Sequence, residues 1–243
     1  MERVAWITGA SRGIGAAIAT KFAKEGYHLS LCCSKTKDKL DELATGLQNQ
    51  YGIKVETFVG DISKEAFVQE MLEKTLEVFG RIDVLVNNAG ICHIGLLSDM
   101  SFAEWNRIVS VNLSSAFLTS KAVVPNMLYR KEGKILNISS VWGNVGASCE
   151  VAYSACKGGI NSFTKALGKE LAPSNIQVNA IACGMIDTEM NACFTEEEKQ
   201  ELMEEIPAGR FAMPEEVANL AFQICTENSY LTGQIIVLDG GWI

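Results

Sequence analysis

The chain is predicted to fold as a doubly wound α/β domain, a parallel sheet of about seven strands with helices on both faces. Three observations carry that prediction. Short β-branched runs alternate with longer amphipathic stretches from one end to the other, the pattern of a parallel sheet built from right-handed strand–helix–strand units. The strand candidates are almost continuously apolar, as in Val84-Leu85-Val86 and Ile235-Ile236-Val237-Leu238, which suits strands covered on both faces. Finally, a glycine-rich turn links the first strand candidate directly to the first helix candidate, placing helix amides where an anion would bind.

Taken in order, strands are expected at 4–8, 28–33, 54–60, 82–87, 134–139, 176–181 and 234–238. Helices are expected at 13–25, 38–51, 64–79 and 153–171. The third helix shows the period most plainly. Phe67, Val68, Met71, Leu72, Thr75, Leu76 and Phe79 recur at three- and four-residue intervals with charges between them, giving one apolar face. Late in the chain the run 195–205 carries Glu196, Glu197, Glu198, Glu201, Glu204 and Glu205. It reads as a solvated helix, with a mobile lid over a substrate as the sharper alternative. Neither a Pro/Gly/Ser linker nor a repeat divides the sequence, so residues 1–243 are expected to form one domain.

Composition limits the function classes. The 243 residues include 29 Asp+Glu against 21 Lys+Arg, for a formal net charge of −8. This argues against a nucleic-acid binder, which needs a basic stripe to meet phosphate charge. Hydrophobic residues make up 48%, too many for a disordered chain. Neither a signal-peptide pattern nor ~18 uninterrupted apolar residues is present, so no membrane partner is expected and the expected location is cytoplasmic. The eight cysteines form no C-x-x-C pair, and only His28 and His93 could join them as metal ligands. Free thiols in a reducing compartment, with no metal, is the expectation.

The turn after the first strand reads Thr8-Gly9-Ala10-Ser11-Arg12-Gly13-Ile14-Gly15. Its glycines permit a tight turn and close approach of a pyrophosphate to the helix N-terminus. Asn87-Asn88-Ala89-Gly90 ends the fourth strand candidate, Ser140 follows the fifth, and Tyr153-Ser154-Ala155-Cys156-Lys157 lies thirteen residues after that serine. Together, in this order, these segments resemble the short-chain dehydrogenase/reductase family over essentially residues 3–243. The resemblance implies a Rossmann-like fold and an oxidoreductase using a nicotinamide cofactor.

Tyr153 and Lys157, four apart, share a helix face. A lysine ammonium about 4 Å away contributes ~4 kcal/mol at an effective dielectric of 20, enough to lower a tyrosine pKa from its ordinary value near 10. The resemblance implies that Tyr153 is the general acid/base, that Ser140 bonds the reacting oxygen, and that Lys157 binds the nicotinamide ribose. It also implies that Asn112 holds a water on a proton path behind the lysine.

The cofactor contacts implied by the resemblance are Gly9, Ser11, Arg12, Gly13, Ile14, Gly15, Ser34, Lys35, Asp61, Ile62, Asn88, Ala89, Gly90, Gly184, Ile186 and Thr188, besides Tyr153 and Lys157. No carboxylate follows the second strand before Asp38, where an NAD site usually carries one. With Arg12, Ser34 and Lys35 nearby, NADP(H) is preferred over NAD(H); Lys37 and Lys39 read as solvated helix residues. The substrate pocket is expected to hold Cys92, His93, Val141, Trp142, Cys149, Glu150, Met185, Met190 and Cys193, although His93 fits a hydrogen-bonded loop residue better.

Within the family the chain looks most like bacterial 3-oxoacyl-[acyl-carrier-protein] reductases, through Ile206-Pro207-Ala208-Gly209-Arg210, Pro214-Glu215-Glu216-Val217-Ala218 and Thr232-Gly233-Gln234…Asp239-Gly240-Gly241. This resemblance implies reduction of an acyl thioester in fatty-acid synthesis, acyl carrier protein as a partner docked on Arg130, Lys131 and Lys134, and a homotetramer. Cys183-Gly184 stands where the family has Pro-Gly, and Ser174 where a basic residue is common. A stand-alone carbonyl or alcohol oxidoreductase such as a hydroxysteroid dehydrogenase is the alternative, and an inactive NADP(H)-binding regulator a third possibility.

Overall fold

The computed structural model describes residues 2–191 and 194–243. Its strands are β1 (Val4–Thr8), β2 (His28–Cys33), β3 (Val55–Val59), β4 (Val84–Asn87), β5 (Gly133–Ser140), β6 (Ile176–Cys183) and β7 (Ile235–Leu238). They pair in the order β3-β2-β1-β4-β5-β6-β7, every pair parallel. This is the Rossmann-like sheet that the strand–helix alternation predicts. The strand order reverses between β1 and β4, which opens a crevice at their carboxyl ends.

β5 and β6 run further than their apolar pattern suggests. They stay in register from Gly133↔Ile176 to Ser140↔Cys183, because ladder hydrogen bonds extend the strands past the last β-branched residue. Ser140 and Cys183 are thereby set side by side at the carboxyl edge.

The helices are α1 (Gly13–Lys24), α2 (Lys37–Tyr51), α3 (Glu65–Phe79), α4 (Phe102–Val109), α5 (Ser115–Arg130), α6 (Trp142–Val145), α7 (Val151–Leu171), α8 (Glu196–Glu205) and α9 (Pro214–Thr226). One face of the sheet is covered by α1, α2 and α9 through Ile18, Phe22, Leu40, Val217 and Ala221. The other is covered by α3, α5 and α7 through Val68, Met71, Val123, Met127 and Leu171. A π-helical turn, Ser110–Ser114, joins α4 to α5; such turns are frequent at functional sites. The combined helix 102–130 is long and apolar enough to cross a membrane by composition. Here Thr119, Val123 and Met127 are fully buried, so that apolar content serves the core.

At the amino edge of the sheet, Asp83 accepts from the Val4 N–H (2.8 Å) and Arg130 Nη1 (2.8 Å) and is paired with Arg81. Lys134 begins β5 there and donates to the Asn228 carbonyl at 3.0 Å. Arg130, Lys131 and Lys134 therefore do not flank the active-site mouth. The length of β5 separates them from Ser140, roughly 23 Å at the usual rise per residue. Within one chain these three residues therefore lie at the opposite edge of the sheet from Ser140.

Candidate active site

The loops after β1 and β4 are laced together at the crevice. Thr8 Oγ1 accepts from the main-chain N–H groups of Asn88 and Ala89, both at 3.0 Å. Asn88 Nδ2 in turn donates to the carbonyls of Thr8 (2.9 Å) and Gly9 (3.1 Å). This lacing dictates Gly15: a Cβ there would stand 2.2 Å from the Gly9 oxygen and 2.5 Å from Asn88 Nδ2. The turn itself needs Gly9 and Gly13, at φ +65° and +53°, where an L side chain is strained.

Arg12 precedes α1 without capping it through its side chain, so the first amides of the helix keep their capacity for an anionic acceptor. They border a cleft of about 650 Å³ lined by Gly9, Ser11, Arg12, Gly13, Ile14, Gly15, Ser34, Lys35, Asp61, Ile62, Asn88, Ala89, Gly90 and Thr188. The uncapped helix start, the glycine turn and the cleft volume fit a dinucleotide.

Two features of the cleft were not legible in sequence. Glu189, from the loop after β6, accepts from both Arg12 Nη1 (2.7 Å) and Lys39 Nζ (2.9 Å). Those bonds from Lys39 and Arg12 hold its carboxyl below the usual range. Lys39 is thus not merely a solvated helix residue. Asp61 accepts from Ser63 and from Arg107 Nη1 (2.6 Å). Burial opposes ionisation of Asp61, but the bonds from Ser63 and Arg107 prevail and keep its carboxyl below the usual range.

At the other end of the crevice the side chains of β5 and α7 meet. Ser140 Oγ accepts from the Trp142 N–H at 3.2 Å and is hydrogen-bonded to Tyr153. Lys157 Nζ lies 5.4 Å from the centre of the Tyr153 ring and donates to the Ile138 carbonyl at 2.7 Å. Burial pushes the Lys157 ammonium down to about 8.

The expected depression of the tyrosine is not found. Burial raises the Tyr153 phenol, the neighbouring Cys92, Cys183 and Glu150 add to that, and only the Ser140 bond acts in the opposite sense. The ammonium is aimed at Ile138, so its field is not spent on the phenolate. Asn112 and Lys157 both approach Gly90, where an added Cβ would lie 3.5 Å from Asn112 Oδ1 and 3.9 Å from Lys157 Nζ. Asn112 Nδ2 donates to the Ile91 carbonyl (2.7 Å) and its Oδ1 accepts from the Ile91 N–H (2.8 Å). The side chain clamps the loop after β4 to the π turn, making Asn112 a positioning residue.

Ser140, Tyr153 and Lys157 open into a smaller cavity of about 170 Å³. Of the expected pocket residues, Cys92, Trp142, Glu150, Met185 and Met190 line it, together with Gly184 and Ile186 from the cofactor set. Val141, His93 and Cys149 do not. Val141 is 1% exposed and packed inward. His93 lies against Gly95, its Nε2 3.2 Å from where a Cβ on that glycine would stand. Cys149 takes φ 63° in the turn whose carbonyl accepts from the Gly95 N–H. Cys193 is outside the described residues.

Sequence reasoning missed several wall residues, among them Phe194, Leu202 and Trp242 from the last third of the chain. Trp242 meets Trp142 edge-on at 5.0 Å, returned to the site by a turn in which Asp239 accepts from the Gly241 and Ile243 N–H groups. The Asp239-Gly240-Gly241 run was the available signal. Leu202 comes from α8, capped by a reciprocal Thr195–Glu198 box. The acidic run is therefore a solvated helix that also borders the cavity.

Comparison with known proteins agrees with this geometry. Residues 3–199 match the sequence profile described as short chain dehydrogenase. An uncharacterized oxidoreductase of Bacillus subtilis strain 168, YmfI, is 41% identical over 100% of this chain and 99% of its own length. The 3-oxoacyl-[acyl-carrier-protein] reductase FabG of Aquifex aeolicus is 40% identical over 98% of this chain and 96% of its own. Among solved structures, YwfH, titled an NADPH dependent reductase involved in bacilysin biosynthesis, superposes with a TM-score of 0.95 at 25% identity. That likeness covers 100% of this chain and 99% of YwfH.

Proposed function

Because this chain belongs to the short-chain dehydrogenase family, we propose that it is an NADP(H)-dependent reductase of ketones to secondary alcohols, acting on a 3-oxoacyl thioester borne by acyl carrier protein. The observation that carries the reading is the Ser140–Tyr153–Lys157 constellation at the inner end of a dinucleotide-sized cleft. When bound, the nicotinamide cofactor supplies a hydride to the carbonyl carbon. Ser140 and Tyr153 hold the carbonyl oxygen, and the Tyr153 phenol gives it a proton as the C–O bond becomes an alcohol. Burial, Cys92, Cys183 and Glu150 hold that phenol above the ordinary tyrosine range, so it carries the proton that reduction consumes. Lys157, fixed by Ile138, positions the ribose.

The preference for NADP(H) is supported by Arg12 and Lys35 on the cleft wall, by the lack of a carboxylate after β2 before Asp38, and by the NADPH dependence printed for YwfH. The thioester is supported by the FabG relatives at 36–40% identity. A homotetramer is supported by the exposed Phe117 on α5 and Val237 on β7.

A second reading, a free ketone as substrate, is favoured by one observation: the basic trio sits at the opposite edge of the sheet while acidic α8 borders the cavity. Steady-state NADPH oxidation with acetoacetyl thioester, free and carrier-bound, against cyclic and steroidal ketones tests the proposal. A strong preference for the thioester supports it; equal or better turnover of the cyclic ketones overturns the thioester assignment.

A further inference from the structure

Glu150 stands at the N-terminal end of α7, three residues before Tyr153, and lines the same cavity. Its Oε2 accepts from the Cys92 thiol at 3.0 Å. No cation pairs with it among the described residues, and its side chain does not cap the helix. It is close enough to Tyr153 to act on the phenol electrostatically. Among the described residues the one cation lining the cavity, Lys157, is 4% exposed and committed to the Ile138 carbonyl. The accessible charge of the pocket is therefore negative. The border has the same sign, since α8 contributes Leu202 to the wall and carries six glutamates against Lys199.

We infer that Glu150 is a specificity-determining residue that sets the charge of the ketone: neutral or cationic substrates are accepted, and those with a carboxylate near the carbonyl are refused. This rests on the reductase reading above. A ketone carrying its own carboxylate would be brought beside an uncompensated like charge in a small cavity, which is the repulsive half of specificity. A neutral chain meets only the apolar walls, Trp142, Met185, Leu202 and Trp242. An amine would gain a partner.

The test is the ratio of kcat/KM for two size-matched thioesters of N-acetylcysteamine, 3-oxohexanoyl and 3-oxoadipyl, in the native protein and in Glu150→Gln. Glutamine keeps the shape and an acceptor for Cys92, so the substitution changes charge alone. The ratio should favour the neutral chain in the native protein and fall by roughly tenfold or more in the variant. Glu150→Asp should retain the native preference. An unchanged ratio in Glu150→Gln overturns the inference. Cyclohexanone against 4-oxocyclohexanecarboxylate gives the same ratio without a thioester. Turnover of this pair alone counts against the thioester assignment, and the charge role is then judged on its ratio.

Discussion

Lys157 is a lysine kept where its charge is unwelcome, and that has a measurable effect on stability. Replacing it with methionine keeps the stem and removes the ammonium. Burial lowers the native pKa from its ordinary 10.5 to about 8, a gap of roughly 3 kcal/mol against the charged form. The variant also orphans the Ile138 carbonyl, which now accepts from Nζ at 2.7 Å, at a cost of about 1 kcal/mol. At pH 7 the Lys157→Met protein should therefore be more stable than the native one by about 2 kcal/mol, although it turns nothing over.

The sign follows from proton counts. Between about pH 8 and 10.5 the unfolded lysine holds its proton and the folded one does not, so this residue's contribution rises with pH. The methionine advantage should shrink by about 2 kcal/mol between pH 7 and pH 10. Buried Cys32 and Cys225, each pushed up to about 12, pull stability down above pH 9 equally in both proteins, whereas Cys183, whose thiol the Lys157 charge pulls down, is removed by making the same pair in a Cys183→Ala background. Urea unfolding of the pair at pH 7, 8, 9 and 10 reads the difference. A difference that stays constant across that range refutes the claim that Lys157 is held desolvated.

The remaining predictions concern the cleft and the frame. Arg12→Ala should weaken NADPH far more than NADH, because it removes a cation from the cleft wall; equal losses in dissociation constant, read by fluorescence titration, would count against the cofactor assignment. Glu189→Gln releases both Arg12 and Lys39 from their shared carboxylate and should tighten NADPH several-fold, an effect that fades in high salt; no change at low salt would show that the bridge does not compete with the cofactor. Asp83→Ala removes the shared acceptor of Arg81, Arg130 and the Val4 N–H, leaving Arg81 its weaker Glu132 contact and Arg130 its bonds to Asn126 and Ile82, and should destabilise the protein by about 2–4 kcal/mol in urea unfolding, while a loss below about 1 kcal/mol would mean the cluster is hydrated and slack.

What was legible in the sequence was local. β1 and β4 were found because their residues are buried and their apolar runs nearly unbroken, the half-exposed edge strands β3 and β7 from their β-branched content, and the errors at the ends of β5 and β6 are residues held by the ladder rather than by side-chain pattern. The phosphate turn and the Tyr153–Lys157 spacing were readable because each is one contiguous turn of chain. Long-range placement was not readable. The family resemblance offered Arg130, Lys131 and Lys134 as part of a carrier-protein patch, whereas they lie at the edge of the sheet opposite Ser140. Nor does spacing reveal that Trp242 folds back onto Trp142 or that Glu189 reaches across to Arg12 and Lys39. The sign of the Tyr153 shift failed for a related reason. The lysine's distance and its partner Ile138 are set by the packing of α7 on β5, while burial and three electronegative neighbours come from other segments.

The account turns on Tyr153 as the proton donor for ketone reduction. Its direct test is NADPH oxidation by Tyr153→Phe, with NADPH affinity measured on the same preparation by fluorescence titration. The account predicts turnover lowered by at least about 10²-fold with a dissociation constant close to that of the native protein. Near-native turnover by the phenylalanine variant would contradict it.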